Sequence, residues 1–98
     1  MSRGGEGPES NHPPAGGLVF PTDFPIKIMG PNRLDFEPRM IAIVRSHAPD
    51  LDISTVEVRQ SRAGNYLSLT VTIRARSRAQ LDAIYLELTR HPWVKVVL

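Results

Sequence analysis

Between residues 24 and 30 apolar and polar positions alternate. Phe24, Ile26 and Ile28 fall on one side, and Pro25, Lys27 and Met29 on the other. A period of two is that of a half-buried strand. Gly30-Pro31-Asn32 then punctuates the chain. The period changes beyond it. Phe36, Met40, Ile43, Val44 and His47 recur at the spacing of one helix face. Pro38 has no amide hydrogen and fits only the first turn, so the helix should begin near Asp35 to Glu37. Either carboxylate there suits the positive end of the helix dipole. His47-Ala48-Pro49 should end it.

Alternation returns twice, over residues 53–61 and Tyr66–Ala75, around the loop Arg62-Ala63-Gly64-Asn65. If Ser61 pairs with Tyr66, Val56 and Val58 share a face with Leu67, Leu69, Val71 and Ile73. Glu57 and Arg59 then share the other with Tyr66, Ser68, Thr70, Thr72, Arg74 and Arg76. A slip of one residue would scramble both faces, so the pattern predicts this register. Gly64 or Asn65 should supply the positive φ of the hairpin loop. Ser77-Arg78-Ala79-Gln80 is a capping-box signature. Leu81, Ile84, Tyr85 and Leu88 follow at helical spacing, and His91-Pro92 should stop that helix. Residues 93–98 read as a last strand, with Val94, Val96 and Leu98 opposite Trp93, Lys95 and Val97.

The order strand, helix, strand, strand, helix, strand (βαββαβ) predicts an α+β fold, the ferredoxin-like split βαβ sandwich. Right-handed crossovers give strand order 4-1-3-2 in an antiparallel sheet. Two helices should cover one face and leave the other open. Composition changes one part of this picture. The chain has 98 residues with 7 glycines and 9 prolines, and these crowd toward the start. Residues 1–17 carry almost no aliphatic side chain and are expected to be a disordered tail, leaving residues 18–98 as the domain. The apolar run Leu18-Val19-Phe20-Pro21 is expected to dock on the domain edge.

Charge narrows the function classes. The net charge is +2, from 12 basic and 10 acidic residues. Residues 1–23 hold one basic and three acidic groups, and residues 24–98 the other eleven basic and seven acidic. A domain at +4 is mildly biased toward anionic partners, short of a dedicated nucleic-acid binder. With no cysteine there is no disulfide, thiolate metal site or thiol nucleophile. No apolar leader opens the chain and no run is long enough to span a bilayer. A cytoplasmic protein without a membrane partner is the expectation.

Several segments carry a resemblance. Phe20-Pro-Thr-Asp-Phe-Pro-Ile-Lys-Ile-Met-Gly30, His47-Ala48-Pro49, Ser61 with Gly64-Asn65-Tyr66-Leu67-Ser68, and Val94-Lys95-Val96-Val97-Leu98 resemble the YbeD-like family of small bacterial proteins. The likeness covers about residues 19–98, and its pieces fall in order. It implies a domain of unknown function with a ferredoxin-like fold similar to the ACT regulatory domains of amino-acid-metabolising enzymes. Family members tend to be encoded beside lipoate-attachment genes, which implies a regulatory link to lipoate metabolism. The resemblance supplies no catalytic residues. The Gly/Pro-rich tail departs from the short members of the family.

Three groups of residues are candidates for function. Gly30, Pro31 and Asn32 lie between a strand and a helix, and the corresponding loop of ACT-like domains helps hold a small amino acid. Glycine admits close backbone approach and helix-terminal amides suit a carboxylate, although a turn glycine is the plainer explanation. Lys27, Arg59, Tyr66, Arg74 and Arg76 should share the open sheet face, with Met29 and Val97 nearby. That face allows a nucleic-acid-binding module as the alternative function. One aromatic is fewer than RNA-recognition sheets use, so nucleic acid is the less favoured partner. Trp93, Lys95 and Val97 mark a short apolar edge strand that invites association. The histidines His12, His47 and His91 have no metal-ligand spacing, and the last two should neutralise helix C-terminal carbonyls. No catalytic constellation, metal site or cofactor is expected. The function read from the chain is a non-catalytic regulatory or protein-interaction module. Its expected partners are a second copy, an unidentified protein or a small carboxylate.

Overall fold

The structure is a computed structural model that describes residues 17–98. The tail expected to be disordered, with His12, lies outside the described residues except for Gly17. Strand β1 runs Thr22–Pro31 and buries Phe24, Ile26 and Ile28, as the alternation predicts. It continues past those residues, so Gly30 is part of the strand and is itself buried. A Cβ there would lie 2.3 Å from the Phe36 ring and 2.5 Å from the Trp93 main-chain oxygen. The glycine is needed for close packing. Leu18 and Phe20 pack against the core just ahead of β1, while Val19 is exposed.

Helix α1, Phe36–His47, begins where Pro38 requires. Phe36, Met40, Ile43 and Val44 are buried, and Ile41 joins them from beside the predicted stripe. Helix α2, Arg78–Arg90, buries Leu81, Ile84 and Leu88. The Ser77 hydroxyl accepts from the Gln80 amide at 3.1 Å, the first half of a capping box. The second half differs from expectation. Gln80 Oε1 accepts from the Arg76 amide at 2.7 Å, and its Nε2 donates to the His47 carbonyl at 2.9 Å. One side chain thus ties the start of α2 to the end of α1.

The hairpin has the predicted register. Strand β2, Glu57–Gln60, pairs with β3, Tyr66–Ala75, through Glu57 opposite Thr70 and Val58 opposite Leu69. Gly64 has φ 81° and Asn65 is not in the left-handed region. Strand β2 begins later than predicted, however. Residues Ile53–Thr55 form a 3₁₀ turn instead of extending it. The cause is local: Asp52 Oδ1 accepts from the Ser54 amide at 3.0 Å and the Ser54 hydroxyl at 2.7 Å. A side chain that offers the backbone such a partner competes with strand pairing.

Strand β4 is also shorter than predicted, Val96–Val97. The His91 carbonyl accepts from the Val94 amide and His91 Nδ1 from the Trp93 amide, which holds the preceding residues in a turn. Val97 lies opposite Ile28 and Val96 opposite Met29. Val97 therefore faces the helices, and Val96 occupies the place on the open face expected for Val97. The strand order is β2-β3-β1-β4, with every pair antiparallel, as read from the sequence.

Backbone direction decides what each edge offers. Lys27 donates to and accepts from Leu98, so the odd residues of β1 point toward β4. Tyr66 accepts from the Ser61 amide, so the even residues of β3 point toward β2. β4 reaches no farther along β1 than Lys27, and β2 no farther along β3 than Thr70. Among the described strands, residues 22–26 and 71–75 therefore form a two-stranded stretch. Pro25, with no N–H to offer, sits on the flank where no strand of the described residues lies alongside.

Candidate functional site

The open face is built as the register requires. Lys27 and Thr70 stand in one row with Glu57, and Met29 and Ser68 in the next with Arg59. Tyr66 is half-exposed at the top of β3. Lys27 and Arg59 have no ion-pair partner among the described residues. Arg74 and Arg76 do: Arg74 Nη1 donates to Asp23 at 3.2 Å, and Arg76 Nη2 to Asp50 at 2.5 Å. These exposed pairs add little stability, but they neutralise half of the cations expected to define a basic face.

The proposed ligand loop has a different look from that expected. Gly30 is packed against Phe36 and Trp93. The Asn32 amide donates to the Asn65 carbonyl at 2.9 Å, and its Nδ2 to the Gly64 carbonyl at 2.8 Å. Asn32 thus pins the β2–β3 hairpin to the end of β1. Pro31, the last residue of β1, stands opposite Tyr66.

Trp93, Lys95 and Val97 do not form one continuous edge. The Arg33 guanidinium stacks on the Trp93 ring at 3.7 Å from its centroid, and Arg39 lies at 5.2 Å. His91 meets the same ring edge-on. Arg33 Nε also donates to Asp35 at 2.8 Å, and that bond holds the Asp35 carboxyl below the usual range. Lys95 is exposed and its amide donates to Met29, while Val97 faces the helices. The two described histidines bond to groups other than helix carbonyls. His47 Nε2 contacts Glu87 Oε1 at 2.7 Å, which links α1 to α2, and His91 is part of the tryptophan cluster.

One cleft where carboxylates gather among the described residues carries no signal in the local sequence pattern. It encloses about 450 Å³ beside residues 71–75 of β3, where β2 no longer runs alongside. Thr72, Ile73 and Arg74 form its floor, and Asp23, Asp50, Asp52 and Glu57 stand around it. Hydrogen bonds from Ser54 hold the Asp52 carboxyl below its ordinary value, so it stays ionised. A second depression, on the outer side of α1, is lined by Pro38, Ile41, Ala42 and Ile53 between Glu37 and Arg45. Among the described residues no group of three or more His, Cys, Asp or Glu could hold a metal ion. No helix of the described residues is long and apolar enough to cross a membrane.

The family model described as "Protein of unknown function (DUF493)" matches residues 17–98. The chain belongs to this family. The resemblance read from its segments is thereby shown. UPF0250 protein NE1487 of Nitrosomonas europaea is 53% identical over 83% of this chain and 93% of its own length. A UPF0250 protein of Paraburkholderia phytofirmans is 56% identical over 81% of this chain and 89% of its own. Among solved structures, protein HP0495 of H. pylori superposes with a TM-score of 0.67 at 12% identity, covering 98% of each chain. The ACT domain of GTP pyrophosphokinase of Chlorobium tepidum superposes with a TM-score of 0.59 at 19% identity, covering 79% of this chain and 97% of its own. The DUF493 chain therefore has an ACT-like, ferredoxin-like fold.

Proposed function

We propose that this DUF493 protein is a non-catalytic regulatory module that acts by docking on another protein. Through its family setting it is tied to lipoate or amino-acid metabolism. The likeness to an ACT domain that forms part of GTP pyrophosphokinase carries the reading. A small domain with no clustered nucleophile, base and orienting group among the described residues is suited to binding. The pairing of Arg74 with Asp23 and of Arg76 with Asp50 removes charge from the open face and counts against nucleic acid as the partner.

The proposal also includes small-ligand sensing of the ACT-like kind, which is tested separately. The full chain is heated with each amino acid and with lipoate at millimolar concentration. A ligand at about a hundred times its dissociation constant adds about 2.7 kcal/mol, which is a rise of several degrees in Tm for so small a domain. No shift with any of them removes sensing from the proposal and leaves protein docking alone.

A further inference from the structure

We propose that the free flank of β3 at Thr72 and Arg74 is a slot for an extended, lysine- or arginine-bearing peptide segment of a partner protein, which adds to the sheet as a strand in line with β2. This deepens the docking half of the function proposed above. Three observations carry it.

The first is a row of backbone groups unused among the described residues. Strand β3 has 10 residues and β2 only 4. The N–H and C=O groups of Thr72 and Arg74 point to the side that β2 has left. The passing chain does not take them up. Thr55 donates to Asp52, Val56 to Ile53 and Leu51 to Ala48, so its amides are bonded within their own segment. An unpaired strand flank is a template for another strand, with main-chain hydrogen bonds supplying affinity.

The second is room. The cleft of about 450 Å³ lies directly on this flank. At about 3.3 Å per residue, a strand of five residues would cover the length of residues 71–75.

The third is charge. Asp23 and Asp50 have arginine partners, but Asp52 and Glu57 have no cation within ion-pair distance among the described residues. Register then specifies the occupant. Residues of an added strand beside Thr72 and Arg74 share the open face with Asp23 and Glu57. The residue beside Ile73 points inward, toward the buried Leu51. The residue beside Thr72 should therefore be basic, within reach of Glu57, the one beside Ile73 apolar, and the one beside Arg74 neutral, since a cation there would stand against Arg74. A second copy presenting the same flank would set Asp52 and Glu57 against their own counterparts, so a basic partner is favoured over self-pairing.

The experiment titrates the full, isotope-labelled chain at low salt with the peptide Val-Thr-Val-Lys-Val, blocked at both ends, which laid antiparallel to residues 71–75 sets its lysine beside Thr72 and its threonine beside Arg74. The expected result is slower amide exchange at Thr72 and Arg74 by about tenfold or more, the size of one main-chain hydrogen bond. The same peptide methylated on its alternate, bonding amides should bind about tenfold more weakly. Val-Thr-Val-Glu-Val should bind more weakly still, and Glu57→Gln should lower affinity for the lysine peptide. Thr72→Pro removes the outward N–H without touching a bond to β1, and should abolish binding with the melting transition kept. If that variant fails to fold, the methylated peptide and Glu57→Gln still decide. Equal binding of the acidic or the methylated peptide overturns the proposal. So does protection at Val97 in place of Thr72, or a dimer that protects Thr72 without peptide. Failure here leaves the thermal-shift result with amino acids and lipoate untouched, so the two readings fall separately.

Discussion

The sheet has two unequal halves. Around residues 27–29 of β1 and Tyr66 to Thr70 of β3 it is four strands wide, and both central strands are hydrogen-bonded on both sides. Around residues 22–26 and 71–75 it narrows, among the described residues, to two strands. The side chains do not register this difference. Leu69 is 0% exposed in the wide half, and Val71 and Ile73 are 0% and 1% exposed in the narrow one. The core runs the full length of the sheet while the ladder does not. Burial and backbone pairing are thus separable, and a strand can be fully buried on one face while its flank is open.

The largest effects should come from the shared core. Leu69→Ala and Ile73→Ala should each cost about 2–5 kcal/mol, the range for emptying a well-packed site. Chemical denaturation measures both. A much smaller loss at Ile73 would show that the narrow half is loosely packed as well as narrow, and would break the comparison. Gly30→Ala comes next, with a loss of about 1–3 kcal/mol or more, because its Cβ would meet main chain at Trp93. Thr72→Ala, on the open flank, should stay within about 0.5 kcal/mol.

How far these halves could be read from the chain depends on which signal decided each. The β2–β3 register was legible because two alternating patterns had to agree, and a slip would have cost every apolar residue its place. The fold order followed from the same patterns. The start of β2 was not legible from alternation alone: Ile53, Val56 and Val58 keep the apolar character of a strand, but Asp52 and Ser54 bond locally and turn the chain aside. Strand β4 was over-read for a similar reason, since the turn at His91 and the stacking of Arg33 on Trp93 hold residues that alternate well. The cations of the candidate site were legible as residues but not in their pairings. Arg74 and Asp23 are 51 positions apart and Arg76 and Asp50 26 apart, and no local spacing announces such contacts. The cleft is a missing neighbour, which no single segment encodes.

Two further effects sharpen the comparison at its edges. The Tyr85 hydroxyl donates to the Leu98 main-chain oxygen at 3.0 Å and so tethers β4 in the wide half. Tyr85→Phe should cost about 0.5–1.5 kcal/mol and speed amide exchange at Lys27. Burial raises the Tyr85 pKa. A raised value means that the neutral phenol is favoured on folding. Its contribution is full below the unfolded pKa and is lost as alkaline pH rises through the folded one, so β4 should loosen in base and the Phe variant should lack that step. The smallest change belongs to the narrow half. Asp52→Ala should lower Tm slightly and let residues 53–56 extend along β3, seen as slower exchange at Thr72. Because the Asp52 pKa is lowered by its bonds to Ser54, the wild-type turn contributes above the unfolded carboxylate pKa and is lost as pH falls through the folded value. Asp52→Asn, which keeps an acceptor for Ser54, should hold the turn without that acid step.

Pro25 gives the two open flanks different futures. Each could in principle accept a newcomer, and a sheet that grows at both ends can polymerise. On the β1 flank the ring nitrogen of Pro25 carries no hydrogen, so a strand arriving there finds a blank where a donor should be. Proline works here as a chain terminator does in a copolymer. On the two-strand stretch, then, a new strand is offered a full row of donors beside β3 and a gap beside β1, while the outer sides of β2 and β4 bound the wide half.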